Sequence, residues 1–175
     1  MKEVLWYFWI YSFLGYLLEK GFAAATRSPH QVRRCFAAAP LCPVYGLGML
    51  AVLALPVSIR ESLWLPLFGA AAATAVEYAV HWGYERLLGV TFWDYSGLPG
   101  NVGGRVCLPF SAAWGLLTAA AVWWVQPWAA ELAAGISPAV TYVCLFPFTL
   151  DAVVSARILR ATGDIDALSY TTWKR

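Results

Sequence analysis

The segment from Trp64 to Leu88 reads WLPLFGAAAATAVEYAVHWGYERLL and is apolar over most of its length. About 20 consecutive apolar residues are enough for a helix to cross the hydrocarbon core of a bilayer, so this segment predicts a transmembrane helix. Glu77 falls near its middle, where a carboxylate is costly in contact with lipid. The segment therefore predicts both a membrane-spanning fold and a polar feature inside that fold.

The composition of the whole chain supports the same class. Of its 175 residues, 61% are hydrophobic and only 13% are charged, and the mean hydropathy is +0.61. Soluble domains carry about 25% charged residues. The composition excludes a soluble globule and a disordered chain, and a net charge of +2 gives no basic field for nucleic acid.

Five apolar stretches are long enough to cross a bilayer: 4–26, 41–59, 64–88, 106–126 and 136–158. They predict an all-α polytopic bundle over residues 1–158 and a cytoplasmic tail over 159–175. A cleaved signal peptide is the alternative for the first stretch, because Ala23, Ala24 and Ala25 resemble a cleavage site. Glu19 and Lys20 interrupt the end of that stretch, which favours a retained helix.

The basic residues predict the orientation of the bundle. One side would hold Lys2 and Arg60. The other side would hold Arg27, Arg33, Arg34, Arg86, Arg105, Arg157, Arg160, Lys174 and Arg175. Because loops rich in Lys and Arg face the cytoplasm, the N-terminus is expected outside and the C-terminus in the cytoplasm of a multi-pass protein of the cell (plasma) membrane.

Ionisable residues inside the predicted spans point to function. Glu19, His81 and Asp151 each lie about seven residues from the cytoplasmic end of a helix, and therefore at one depth. Polar residues at three- and four-residue spacing form stripes on three helices. The stripes are Ser12, Tyr16 and Glu19; Thr74, Glu77, Tyr78, His81, Tyr84 and Glu85; and Thr141, Cys144, Asp151 and Ser155. Together they predict a polar, acid-lined cavity open to the cytoplasm or the inner leaflet.

A structural role is the alternative for these residues. Buried ion pairs, such as Glu19 with Arg105 or Glu85 with Arg157, would hold helices together without any ligand. The predicted set contains more charges than such a role needs, which favours a site.

The connection from Trp93 to Arg105, WDYSGLPGNVGGR, is rich in turn-forming residues and runs directly into an apolar helix. Such a segment is able to fold back over the mouth of a cavity. We therefore expect it to control access from the cytoplasm.

Several motifs with known chemistry are missing from the sequence. There is no phosphate-binding P-loop, no HExxH zinc motif and no GxSxG nucleophile motif. Four cysteines lack zinc spacing and predict reduced thiols. Glu77 and His81 are one turn apart, but two ligands alone do not make a metal site. No cofactor and no metal are expected, and an enzyme is not the favoured interpretation.

A set of landmark residues spans about Tyr11 to Gly115. They are Ser12-Phe13-Leu14-Gly15 with Glu19; Pro40; Cys42-Pro43-Val44-Tyr45-Gly46 with Gly48; Glu77-Tyr78 with Glu85; Trp93-Asp94-Tyr95-Ser96; and Asn101 with Gly104-Arg105-Val106-Cys107-Leu108 through Ser111 and Trp114-Gly115. In these landmarks the sequence resembles the bacterial membrane protein family labelled ABC transporter permease type IV, the CmpB-like family. Ala39 stands where we expect the family to have glycine.

The resemblance implies transport and a set of polar site residues. That substrate-binding set is Glu19, Tyr45, Glu77, Glu85, Asp94, Asn101 and Arg105. His81 and Asp151 are not landmarks of the family and are secondary candidates.

The sequence thus favours a permease-like membrane protein that binds or transports a small polar or cationic solute. Five helices are few for a complete pathway, so a homo-oligomer or a partner membrane subunit is expected, with a separate ATPase possible. One alternative is an intramembrane enzyme acting on a lipid or isoprenoid phosphate, with Glu77 or Glu85 as general base and Arg105 on the phosphate. The other is a structural membrane subunit.

Overall fold

The computed structural model describes residues 1–26 and 35–168. Every named secondary-structure element in these ranges is a helix or a helical turn. The helices are α1 (Lys2–Ala25), α2 (Pro43–Leu53), α3 (Val57–Arg60), α4 (Leu65–Gly83), α5 (Leu108–Ala120), α6 (Gln126–Gly135) and α7 (Pro138–Thr162). A π-helical turn, Tyr84–Leu88, follows α4, a second one, Ala121–Val125, joins α5 to α6, and a 3-10 turn, Ile165–Leu168, follows α7. The predicted all-α class is confirmed.

Some residues named in the sequence analysis lie outside the described part of the chain. They are Arg27, Arg33, Arg34, Lys174 and Arg175. The first residues of the predicted tail, 159–162, belong to α7.

Two of the predicted spans have different helix bounds from those expected. The stretch 41–59 contains two helices, because Pro56 has no N–H to continue the ladder and starts a new turn instead. With 11 residues, α2 is about 16 Å long, which is short of the roughly 30 Å hydrocarbon core. The helix that begins at Leu108 continues past 126 to Gly135, through the π turn that precedes Pro127.

Two helices of the described chain are long and apolar enough to cross a membrane, Leu108–Gly135 and Pro138–Thr162. Helices α1 and α4 have 24 and 19 residues. Five crossings, an outside N-terminus and a cytoplasmic C-terminus remain predictions.

The helices pack as a closed ring in which α1 contacts α2, α2 contacts α4, α4 contacts α5, and α6 returns to α1. Glycines permit two of these close approaches. A Cβ at Gly46 would lie 2.5 Å from the Phe8 carbonyl oxygen of α1, and one at Gly115 would lie 2.6 Å from the Pro66 carbonyl oxygen of α4. Helix α7 lies against α1 and Tyr84–Leu88, outside the ring.

Candidate functional site

Glu19 is held by a tyrosine from the neighbouring helix. The hydroxyl of Tyr45, on α2, donates a 2.7 Å hydrogen bond to Oε1 of Glu19, on α1. Gly15 lies one turn before Glu19, and any side chain there would overlap the Tyr45 ring. The glycine therefore allows Tyr45 to approach α1 closely enough for its hydroxyl to reach the carboxylate.

Glu77 is the buried member of the site, with only 4% of its surface exposed. Both of its oxygens accept hydrogen bonds from neutral donors. Trp114 Nε1, on α5, donates to Oε2 at 2.9 Å, and the Tyr95 hydroxyl donates to Oε1 at 3.1 Å. The carboxyl group is thus enclosed by side chains from α5 and from the 93–105 loop.

Aromatic contacts connect the two glutamates. The rings of Tyr45 and Trp114 are 4.9 Å apart between centroids, so Glu19 and Glu77 are joined through one pair of side chains. We call Glu19, Tyr45, Glu77, Tyr95 and Trp114 the two-glutamate cluster. Four helices, α1, α2, α4 and α5, and one loop contribute to it. Among the described residues, neither carboxylate forms a salt bridge.

The loop folds back into the bundle through Tyr95. Its ring stacks on Phe110 with centroids 4.8 Å apart and an interplanar angle of 18°. Burial, and then the charge of Glu77, raises the pKa of the Tyr95 phenol. The phenol therefore stays protonated at neutral pH, which is the form that donates to the carboxylate.

Short polar contacts fix the shape of the loop. The Asp94 carboxylate accepts hydrogen bonds from the Ser96 N–H at 2.9 Å and the Ser96 hydroxyl at 2.6 Å, and these bonds lower the pKa of Asp94. The Asn101 amide donates to the carbonyl oxygens of Ser96 and Leu98. Gly104 has a φ of 70°, and a Cβ there would meet both Asp94 and Ser96. Asp94 and Asn101 thus shape the loop rather than line the cluster.

The end of the loop is anchored to α4 and the turn after it. The Arg105 guanidinium donates to Glu85 Oε2 from Nη2 at 2.7 Å and from Nε at 3.2 Å, and its carbon centre lies 5.4 Å from the centroid of the Tyr78 ring. The hydrogen bond to Glu85 raises the pKa of Arg105. Both partners remain partly exposed, with 21% and 46% of their side chains accessible, so water screens the pair and it is easily opened.

A second anchor uses Trp93 and His81. Trp93 Nε1 donates to the Arg105 carbonyl oxygen at 2.9 Å, and His81 Nε2 lies 3.0 Å from the Trp93 carbonyl oxygen. A carbonyl oxygen only accepts, so Nε2 must carry the proton. His81, on α4, therefore holds the start of the loop by donating to the Trp93 carbonyl oxygen.

Asp151 was expected to line the cavity with Glu19 and His81, but its hydrogen bonds are to the backbone. Its two oxygens accept hydrogen bonds from the backbone N–H groups of Ala38 and Ala39 at 3.0 and 3.1 Å. Ser155 also accepts from Ala38 N–H, at 3.2 Å. Thr141, from the same predicted stripe, accepts from Trp6 Nε1. These described contacts of the α7 stripe fix backbone and helix positions.

The ion pair in the described chain differs from both pairs considered from the sequence. Arg105 pairs with Glu85, not Glu19, and Glu85 does not use Arg157. This leaves the Arg105 guanidinium engaged by a carboxylate, which disfavours its use on a substrate phosphate. No group of three His, Cys, Asp or Glu residues within the described ranges is placed to hold a metal ion.

The predicted set thus divides between two places. Glu19, Tyr45 and Glu77 belong to the two-glutamate cluster, whereas Glu85, Asp94, Asn101 and Arg105 shape and anchor the loop. Tyr95 and Trp114 were not predicted as site residues, although both lie within landmarks of the resemblance. A signal for them was available in the sequence, because a tryptophan N–H or a tyrosine O–H within an apolar segment needs a hydrogen-bond acceptor nearby. The expected open, acid-lined cavity is not found at Glu77, which is enclosed by these two residues.

Two helices of the described chain are long and apolar enough to cross a membrane, which points to a membrane-associated protein. The chain belongs to the family described as "Putative ABC-transporter type IV", whose family model matches residues 6–156. The resemblance drawn from the sequence landmarks is confirmed. The family and the two long apolar helices together indicate membrane localisation and a transport-related protein, and an ABC-type transporter implies an ATPase partner.

No curated protein matches the chain, and no solved structure matches it either.

Proposed function

We propose that the chain is a permease-like membrane subunit whose two-glutamate cluster binds a small cationic solute. The observation that carries the proposal is the pair of carboxylates, Glu19 and Glu77, that share an aromatic network and have no described countercharge. Glu77 is buried, whereas Glu19 is partly exposed. A buried carboxylate without a countercharge is strongly destabilising, and a cation bound between the two glutamates would relieve that cost at Glu77.

Aromatic side chains around the carboxylates suit a cation. The faces of tyrosine and tryptophan rings attract positive charge, and Tyr45 and Trp114 stand between the two glutamates. An anionic or purely apolar solute would gain nothing from this environment. The cluster therefore favours an organic or inorganic cation over a phosphate or a lipid tail.

In this proposal the 93–105 loop is the gate of the site. Tyr95 closes over Glu77, and the Arg105–Glu85 pair and the Trp93–His81 contact hold the loop down. A cation that replaced the Tyr95 hydroxyl at Glu77 would require the loop to lift. The exposed ion pair makes that movement inexpensive compared with opening a helix interface.

The proposed subunit does not work alone. Five membrane crossings are few for a complete transport pathway, and α2 is too short to make a full crossing by itself. The family description supports a separate ATPase, and a second copy or a partner membrane subunit would complete the route. We place the multi-pass chain in the cell membrane, with the loop and the C-terminus in the cytoplasm.

Cation-dependent thermal stabilisation of the purified protein tests the proposal without requiring the energy source. The probes are sodium, tetramethylammonium and spermidine, with sucrose as a neutral solute, against wild type, Glu19→Gln and Glu77→Gln. A ligand at 100 times its Kd stabilises the folded state by about 2.7 kcal/mol, which corresponds to roughly 5–11 °C for a chain of this size.

Glu131→Gln is the matched control, because Glu131 is an exposed carboxylate on α6. We expect at least one cation to stabilise wild type and Glu131→Gln, and neither cluster variant to respond to it. The same variants in liposomes should lose uptake of that cation. If no cation stabilises wild type, or Glu77→Gln responds as wild type does, the proposal is wrong.

A further inference from the structure

A groove of about 350 Å³ lies apart from the two-glutamate cluster, between the end of α4 and α7. Its volume is within the roughly 300–1,000 Å³ range of small-molecule sites. The walls are apolar or aromatic and include Phe36, Leu47, Val80, Tyr84, Leu87 and Ala156. Almost no polar surface faces into this groove, so it suits a hydrocarbon chain.

The floor of the groove packs on a buried apolar cluster. Phe36 stacks on Tyr84 with ring centroids 5.5 Å apart and an interplanar angle of 13°, and both rings pack against the cluster that contains Leu159 and Val90. Gly83 lines the groove, and a Cβ added there would meet nothing within 4 Å. Packing between helices therefore does not explain this glycine.

Cationic residues are neighbours, along the chain, of residues that line two walls of the groove. Arg160 lies one turn beyond Ala156 on the same face of α7, and Arg86 directly precedes Leu87 on the opposite wall. Both arginines are exposed, as is Arg157 beside Ala156. All three lie toward the C-terminal ends of their helices, which the charge distribution assigns to the cytoplasmic surface.

Among the described residues, none of these three arginines forms a salt bridge. Glu85 is engaged by Arg105. Asp164, beyond the end of α7, accepts the backbone N–H of Asp166 in its own turn. An apolar groove with a cationic rim complements a molecule that has a hydrocarbon tail and an anionic head.

We infer that this groove is a binding site for an anionic phospholipid, with one acyl chain between Gly83 and Ala156 and the phosphate near Arg86, Arg157 and Arg160. The tail alone gives little preference, because surrounding lipid is as apolar as the groove. The headgroup gives the selectivity, since each arginine near an anionic surface contributes about fivefold in affinity, or about 1 kcal/mol.

Native mass spectrometry of the full chain in detergent tests the inference. Phosphatidylglycerol and phosphatidylcholine with identical acyl chains are titrated against wild type and the double variant Arg157→Gln/Arg160→Gln. We expect wild type to prefer phosphatidylglycerol by at least tenfold, and the double variant to lose about 25-fold of that affinity, which is about 2 kcal/mol. Equal binding of the two lipids by wild type overturns the inference.

The tail position is tested by filling the groove. Gly83→Leu, and independently Ala156→Leu on the opposite wall, should each weaken phosphatidylglycerol binding at least tenfold. Gly21→Leu is the control, because Gly21 is also helical and unconfined but lies on α1. Wild-type binding by both filled variants overturns the site. The inference is also overturned if Arg157→Gln/Arg160→Gln is less stable than wild type but keeps the preference for phosphatidylglycerol. The arginines would then only stabilise the C-terminal end of α7 through its helix dipole.

Discussion

Replacing Gly15 by alanine should destabilise the protein by pushing Tyr45 away from Glu19. A Cβ at this position would overlap the base of the Tyr45 side chain, at its Cβ, Cγ and Cδ2 atoms. The ring has little room to retreat, because Trp114 lies against it and its hydroxyl is bonded to Glu19. Overpacking of this kind typically costs about 1–3 kcal/mol.

Gly21→Ala on the same helix provides the matched comparison. Nothing lies within 4 Å of a Cβ at Gly21, so this variant gains only the helix preference of alanine over glycine, which is about 0.8–1.0 kcal/mol in water. The same gain acts at Gly15 and cancels between the two variants. The difference in their stability is therefore the overpacking cost alone, which we place at about 2 kcal/mol.

Thermal unfolding in detergent micelles measures this difference. For a chain of this size, 2 kcal/mol separates the two midpoints by about 4–8 °C, with Gly15→Ala the lower. Adding Tyr45→Ala to Gly15→Ala should recover part of the loss by removing the ring. If the two glycine variants unfold at the same temperature, Tyr45 does not lie against α1 and the described contact between α1 and α2 is incorrect.

Three further predictions concern the residues that support the site. Asp151→Ala should lower the free energy of unfolding by about 2 kcal/mol while cation binding by the remaining folded protein is unchanged, as measured by urea unfolding and ligand titration. Hydrogen bonds from Ser96 lower the pKa of Asp94, so the ionised Asp94 stabilises the loop at every pH above the ordinary pKa of an aspartate. This stabilisation is lost as the pH falls through the lowered pKa, and hydrogen exchange at the Ser96 N–H should accelerate only in that acidic range. Arg105→Gln should release the loop from Glu85 and increase protease cleavage within 93–105, whereas unchanged cleavage would show that the ion pair does not hold the gate.

The helical class and the polar cluster were accessible from the sequence for physical reasons. Long apolar stretches with few charges predict helices regardless of how those helices pack. Glu19 and Glu77 were recognisable because a carboxylate in such a stretch must find polar neighbours. The division of the 41–59 stretch was also visible in principle, since Pro56 lacks the N–H that a continuous helix needs there.

The partners of these residues were not accessible in the same way. Asp151 bonds to Ala38 across 113 positions of sequence, and helical spacing gives no information about such a contact. Arg105 pairs with Glu85 because the turns at Gly103 and Gly104 bring the end of the loop back to the C-terminal end of α4. Tertiary packing decides between alternatives that the sequence left equal in charge and depth.

The central claim is that Glu19 and Glu77 act as one site through the aromatic pair between them. A double-mutant cycle on cation-dependent stabilisation, with Glu19→Gln, Glu77→Gln and the combined variant, tests it most directly. The account predicts a coupling energy of about 1–3 kcal/mol, with the combined variant hardly worse than either single one. Additive losses, with a coupling energy near zero, would contradict it.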